Sequence, residues 1–383
     1  MISPFAYVRR RVGARNGRRT AGNGTRATRS WQQVFCSALA ALVLLVPATA
    51  DAHEGWGILV DARGRIYFTD IPTNTIWRIS ESGRLEKIVE GKHSHALHMD
   101  AGGNLYGTNP HMTLAIGSIW KVTPQGTVSD VLVPTPDLPI GLQSFAMDSR
   151  GAVYSVNARS STTPLLVLMR RNPDGSVQRV AGSEPGHADG TGAAAKFLGI
   201  DGMAWGNDGA LFVADGAYVR KVTTGGVVTT PIASPLTGSS FGEDLMGIAA
   251  DGFGSIVIAD YSGRRVVWLF ADSSVVEARG TPFPWAPTGV AVKDGAVYVL
   301  EHLRLPFAIL GDLGIGPYLR VERIAADGTM TTLETLWGRR TMLALMIPLS
   351  VVLLTFALFQ VSRRVRARRK RQPAIVGPPF VRK

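Results

Sequence analysis

From Gly57 to Glu301 the chain repeats one arrangement of small, apolar and polar positions. A run of alternating small and apolar residues reaches an Asp, a glycine turn follows, and an apolar strand closes on a polar residue. The copies are GILVDARGRIYFTD (57–70), ALHMDAGGNLYGTN (96–109), SFAMDSRGAVYSVN (144–157), GMAWGNDGALFVAD (202–215), GIAADGFGSIVIAD (247–260) and GVAVKDGAVYVLE (289–301). They start 39, 48, 58, 45 and 42 residues apart. Each copy predicts two antiparallel strands joined by a tight turn, because alternation with period 2 marks a half-buried strand. Each continues into a third strand, such as Thr75–Ile79 or Tyr218–Val222, and after another Gly turn into a fourth, such as 227–231. Four strands per ~45 residues, six times over, predict an all-β, six-bladed β-propeller across 53–338. A β-sandwich also has many short strands, but it would not repeat in register.

The two ends have a different pattern. Residues 34–50 (VFCSALAALVLLVPATA) form a short apolar run after an Arg-rich stretch and end in small-x-small triplets. Residues 1–52 therefore read as a signal peptide cleaved after Ala50 or Ala52; a retained N-terminal anchor and an organellar transit peptide are the alternatives. Cys36, the one cysteine, would leave with that segment, so no disulfide or cysteine metal site is expected in the mature chain. Residues 341–361 (TMLALMIPLSVVLLTFALFQV) are 21 uncharged positions, enough for a transmembrane helix. The basic block that follows places the 362–383 tail in the cytoplasm and the propeller outside, as a single-pass protein of the cell membrane.

Charge agrees with this division. The 383 residues carry 41 Lys and Arg against 29 Asp and Glu, a net charge of +12. Eight Arg lie in 1–50 and nine basic residues in 362–383, with no acid in either; the middle keeps 24 basic and 29 acidic residues, a net of −5. A nucleic-acid-binding surface would place its basic residues on the folded domain, so no nucleic-acid partner is expected. The basic tail reads as a topology signal with anionic-lipid contact, or as a docking segment for a cytoplasmic partner.

The repeats resemble NHL repeats. The most specific stretch is AGSEPGHADGTGAAAKF (181–197), similar to the connector AGxxxGxxDGxGxxAxF, with YVRKVTTGGVVTT (218–230) following it. Blade one, IYFTDIPTNTIWRI (66–79), is similar to the related YWTD and SMP-30/gluconolactonase-like propellers. Such a fold converges the residues just before each copy at one mouth of the central channel: Trp56, His95, Gln143, Asp201, Met246 and Thr288. Two positions earlier stand Glu54, His93, Gly141, Gly199, Asp244 and Ala286. Carboxylates and an amide suit Ca²⁺ or Mg²⁺, and added imidazoles favour Zn²⁺ or Mn²⁺.

The SMP-30-like lactonases hold a divalent ion at this mouth. DGMAWGNDGALFVA (201–214) is similar to their DGMxxDxxGxLWVA segment. The resemblance makes Asp201 a metal ligand and candidate catalytic base. It makes Glu54, His95 and Gln143 further ligand positions and His93 a substrate-binding position; Asp244, brought to the mouth by the topology, is a further substrate-binding candidate. Glu54 is displaced by about a residue, Gln143 replaces an Asn, and His93 and His95 replace an Arg and an Asn. His98 points away from the other two histidines.

The polar residues closing the second strands (Asp70, Asn109, Asn157, Asp215, Asp260, Glu301) read as turn stabilisers. Long second-to-third-strand loops are expected at 110–118, 158–164 and 302–317. The last is strongly apolar, and the alternatives are a cap on the channel, packing under neighbouring loops, or bilayer contact. No nucleophile-elbow, zincin or P-loop motif occurs. Sequence leaves two functions open: a binding module for a protein or small-molecule ligand, or a divalent-metal-dependent lactonase or hydrolase acting on a small sugar-like substrate.

Overall fold

The structure is a computed structural model that describes residues 54–111, 116–132, 140–157, 165–236, 245–270, 276–303, 316–338 and Gln360. All of them belong to the unit Ala50–Lys383. The expected signal peptide, the run 341–361 apart from Gln360, and the basic tail lie outside the described residues, as does the loop core 304–315. No helix among the described residues is long and apolar enough to cross a membrane.

Six antiparallel sheets follow one another along the chain, each built outward from its innermost strand. Blade one is Ile58–Val60, Ile66–Asp70, Thr75–Ile79 and Leu85–Glu90. Blade two is Leu97–Met99, Leu105–His111, Ile116–Val122 and Val128–Leu132. Blade three is Ile140–Met147, Val153–Asn157, Leu166–Arg171 and Val177–Ser183. Blade four is Ile200–Trp205, Leu211–Asp215, Tyr218–Val222 and Val227–Thr229, with Gly190–Thr191 added on its outer edge as a fifth strand. Blade five is Leu245–Ala250, Ile256–Asp260, Arg265–Leu269 and Val276–Gly280. Blade six is Trp285–Lys293, Ala296–Leu303, Pro317–Ile324 and Met330–Trp337.

The repeated Asp makes the inner hairpin. Asp61 Oδ1 accepts the N–H groups of Arg63 and Arg65, both at 2.9 Å. Asp148 does the same for Arg150 and Ala152, and Asp251 for Phe253 and Ser255. A carboxylate one residue past the strand thus replaces the ladder partners lost at the bend. Blade six uses Asp294-Gly295 instead, both at positive φ (50° and 73°), with Lys293 paired to Ala296. That is the two-residue hairpin whose twist matches the strands.

The sheets pack face to face through apolar side chains that alternate along the strands. Each blade is made only of consecutive strands, so the seam between blades six and one is closed by side chains. Ile58 and Phe68 of blade one pack there with Leu300, Leu319 and Val321 of blade six. Tyr318 Oη donates across it to Asp70 Oδ2 at 2.9 Å.

Two expectations need correction. Blade two's second and third strands run on to His111 and from Ile116, so its loop is 112–115 rather than 110–118. Asn109 therefore lies inside the strand, opposite Ser118, and does not close it. The fifth strand of blade four was not anticipated.

Candidate functional site at the channel mouth

Innermost strands begin, and second strands end, on one face of the ring. At that face the ladder of blades four, five and six shifts register, between Ile200 and Met203, Leu245 and Ile248, and Pro287 and Gly289. The shift falls on Asp201-Gly202, Met246-Gly247 and Thr288. A bulge re-aims the side chains it carries, which takes these residues out of the regular alternation of the ladder.

Just below, the innermost strands press together. A Cβ on Gly202 would lie 2.2 Å from Met246 O, one on Gly247 would lie 2.7 Å from Gly289 Cα, and one on Gly289 would lie 2.3 Å from Trp56 O. The axial space left, lined by Trp56, Phe145, Met203 and Ile248 among others, is about 50 Å³. This is room for a water or two. The channel below the mouth is consequently narrow.

Polar groups run around it in an arc through four blades. Tyr261 Oη, following the second strand of blade five, donates to Glu54 Oε1 at 2.7 Å. In blade six, Thr288 Oγ1 and His302 Nδ1 share a hydrogen bond of 3.0 Å. His302 is buried, and its Nε2 meets no hydrogen-bond partner among the described residues. Burial pushes this imidazole below its ordinary pKa, against the opposing pull of the Glu54 and Asp70 carboxylates, so the neutral form is favoured. In blade one Asn74 Oδ1 bonds His93 Nδ1 at 2.9 Å. His93 Nε2 and His95 Nε2 are 3.2 Å apart, and the His95 ring lies 5.1 Å from that of Trp56.

The expected site residues divide accordingly. Glu54, His93 and His95 belong to this arc. His93 and His95 lie in the irregular segment ahead of the strand Leu97–Met99, and their approach is set by that segment. Asp201 is half-buried in the blade-four bulge. The side chain of Gln143 and all of Asp244 lie outside the described residues. His98 stands apart beside Tyr106.

No group of three or more His, Cys, Asp or Glu side chains among the described residues is arranged to hold a metal ion. The Glu54 carboxylate is engaged by Tyr261, and His93 Nε2 and His95 Nε2 face each other at 3.2 Å, a pair with no third ligand grouped beside it among the described residues.

Tyr261 and His302 were missed by sequence reasoning. Each directly follows the acid of a second strand (Asp260, Glu301), and the signal is a polar ring at that position, which Ile71 and Gly216 lack. Glu301 does not close its strand as expected, since the strand runs on to Leu303.

The second-strand acids are structural. Asp70 Oδ2 accepts Thr73 Oγ1 at 2.5 Å and Trp77 Nε1 at 2.9 Å. Asp260 accepts Gly263 N–H and Arg265 Nε, both at 2.7 Å. Glu301 pairs with Arg320, which also reaches Glu322 Oε1 at 3.3 Å and lies 4.5 Å over the Trp285 ring. Burial, opposed by Arg320 and reinforced by Glu322, pushes Glu301 up from 4.5 to about 7. Folded Glu301 therefore holds a proton that the unfolded chain has already lost in this window, and its contribution to stability declines as pH rises through it. Glu301→Gln is expected to remove that slope, so wild type loses stability relative to the variant between pH ~5 and ~8. Denaturation midpoints at stepped pH check this, and a pH-independent difference would refute it.

The 181–197 connector is also structural. It wraps the outer edge of blade four and delivers Gly190–Thr191 to that sheet. A separate cleft of about 360 Å³ lies between blades four and five on the opposite face, lined by Phe212, Ile256, Leu269 and Phe270 together with the Asp208–Lys221 pair.

No family model and no curated protein matches the chain. Among solved structures it is similar to a gluconolactonase from Xanthomonas campestris, with 15% identity over 64% of this chain and 83% of that one, TM-score 0.49. It is similar to the calcium-binding protein regucalcin from Agrobacterium tumefaciens, with 16% identity over 67% and 85%, TM-score 0.49. A virginiamycin B lyase from Staphylococcus aureus matches with 14% identity over 73% and 83%, TM-score 0.46. The six sheets of consecutive strands themselves make the chain a six-bladed propeller. At these identities the likeness concerns fold alone.

Proposed function

We propose that the chain is a single-pass membrane protein whose extracytoplasmic propeller binds a ligand, protein or small molecule, at the channel mouth. The observation that carries this is the arc of polar side chains from four blades at the channel mouth, with Tyr261, Glu54 and His93 half-buried and Thr288, His302 and His95 buried behind them. Convergent polar groups at one mouth suit recognition of a polar ligand. The uncharged run 341–361 and the Arg block after it support the anchored topology.

A photocrosslinking residue placed at 93 or 261 in the membrane-embedded full chain is expected to capture a discrete adduct that the same residue at 253 does not. Position 253 is 85% exposed in the hairpin on the opposite face. Equal adducts at all three sites would overturn the assignment to the mouth. The lactonase reading makes a different prediction: metal analysis should find a stoichiometric divalent ion that Asp201→Ala removes. The binding reading expects Asp201→Ala to leave metal content at the wild-type level.

A further inference from the structure

We infer that the propeller lies with its mouth face against the bilayer, holding Phe283 and Trp337 at headgroup level; this rests on the membrane-anchored reading above. The outermost strand of blade six, Met330–Trp337, runs toward the mouth face and ends with Trp337 opposite Pro317 at the start of the third strand. Trp337 is 59% exposed. Only Gly338, Arg339 and Arg340 separate it from the apolar run beginning at Thr341. Four extended residue steps span at most ~14 Å, so this rim cannot stand far from the membrane.

A tether alone would also allow the ring to stand on its edge. Phe283 distinguishes the two. It lies in the connector that crosses the same face to the innermost strand of blade six, it is 64% exposed, and its ring is 5.2 Å from the Arg264 guanidinium. Aromatic rings with neighbouring cations suit the boundary between acyl chains and headgroups. Phe253 is more exposed still, but it belongs to the inner hairpin of blade five, on the face the tether holds away from the membrane.

The test uses the full chain with Cys36→Ser, carrying a single cysteine at Phe283, at the exposed neighbour Pro282, or at Phe253. Each is labelled with an environment-sensitive fluorophore and reconstituted in phosphatidylcholine–phosphatidylglycerol vesicles containing doxyl-labelled lipid. Labels at 282 and 283 are expected to be quenched several-fold more than the label at 253. Equal or reversed quenching, in vesicles that retain the protein through alkaline carbonate extraction, overturns the orientation alone. Release of the protein by carbonate overturns the anchored reading, and the orientation with it.

Discussion

Gly289→Val is expected to open the propeller ring, lowering stability by more than the ~1–3 kcal/mol usual for an overpacked site. Even Gly289→Ala places a Cβ 2.3 Å from Trp56 O, 2.9 Å from Trp56 C and 3.0 Å from Ile58 Cγ2. The first two are backbone atoms, so no rotamer change relieves the contact. Moving Trp56 also pulls on blade two, because Trp56 N–H donates to His95 O at 2.9 Å.

The location amplifies the effect. Blades six and one share no strand, so the seam at Gly289 depends on close side-chain packing and on the Tyr318–Asp70 bond. Gly252→Ala is the control, since a Cβ there meets nothing within 4 Å. Denaturant midpoints of the purified full chain should fall for both Gly289 variants, more for Val, and hold for Gly252→Ala. A Gly289→Ala midpoint equal to wild type would show that the seam is looser than the structure places it.

The same glycines show how far the sequence could be read. The small residue opening each copy (Gly57, Ala96, Ser144, Gly202, Gly247, Gly289) was visible as a pattern, because every blade solves the same local problem of alternation and turn. Its reason was not visible: Gly202, Gly247 and Gly289 each meet the backbone of the next blade, a contact between repeats. The Asp in the inner hairpin was legible for the converse reason, since its partners lie within four residues. The second-strand acids were legible as a position only, because Asp215, Glu301 and Asp70 also take partners far along the chain.

The mouth was only half legible. Topology brings the residues preceding each copy to one face, and the bulges at Asp201 and Thr288 confirm that such positions are exceptional. Which of them meet is decided across blades. Tyr261 and Glu54, 207 residues apart, find each other through ring closure, which no local period encodes. The motif most specific in sequence, 181–197, proved to be a fastening instead of a site.

That fastening gives the second large expected effect: Arg220→Met should cost ~3–5 kcal/mol, as breaking a buried ion pair from one side does. The Arg220 and Asp215 side chains are both fully buried, with Nη1 to Oδ2 at 2.8 Å. The guanidinium also donates to Lys196 O at 3.0 Å, Ala188 O at 2.8 Å and Asp189 Oδ1 at 2.9 Å. Asp189 in turn holds Thr230 through its N–H and hydroxyl. One planar fork therefore ties the connector to blade four, and Arg220→Lys should rescue little, because an ammonium cannot reach acceptors spread around that plane.

A second substitution separates lost charge pairing from lost packing. Asp215 Oδ1 accepts the N–H groups of Leu198 and Gly199 at 2.6 and 2.9 Å, contacts an Asn oxygen can keep. Asp215→Asn should destabilise the wild-type chain, where it removes the buried counter-charge of Arg220 and leaves Asp189 as its one remaining carboxylate among the described residues. It should stabilise the Arg220→Met chain, where it removes an uncompensated buried carboxylate. Denaturation of the four proteins reads that change of sign, and strictly additive effects would mean the pair contributes only as packing. Leu198 and Gly199 lead directly into the strand that carries Asp201, so loss of Arg220 should also loosen the blade-four side of the mouth. Hydrogen exchange at 198–202 should therefore rise with Arg220→Met and recover in part with Asp215→Asn.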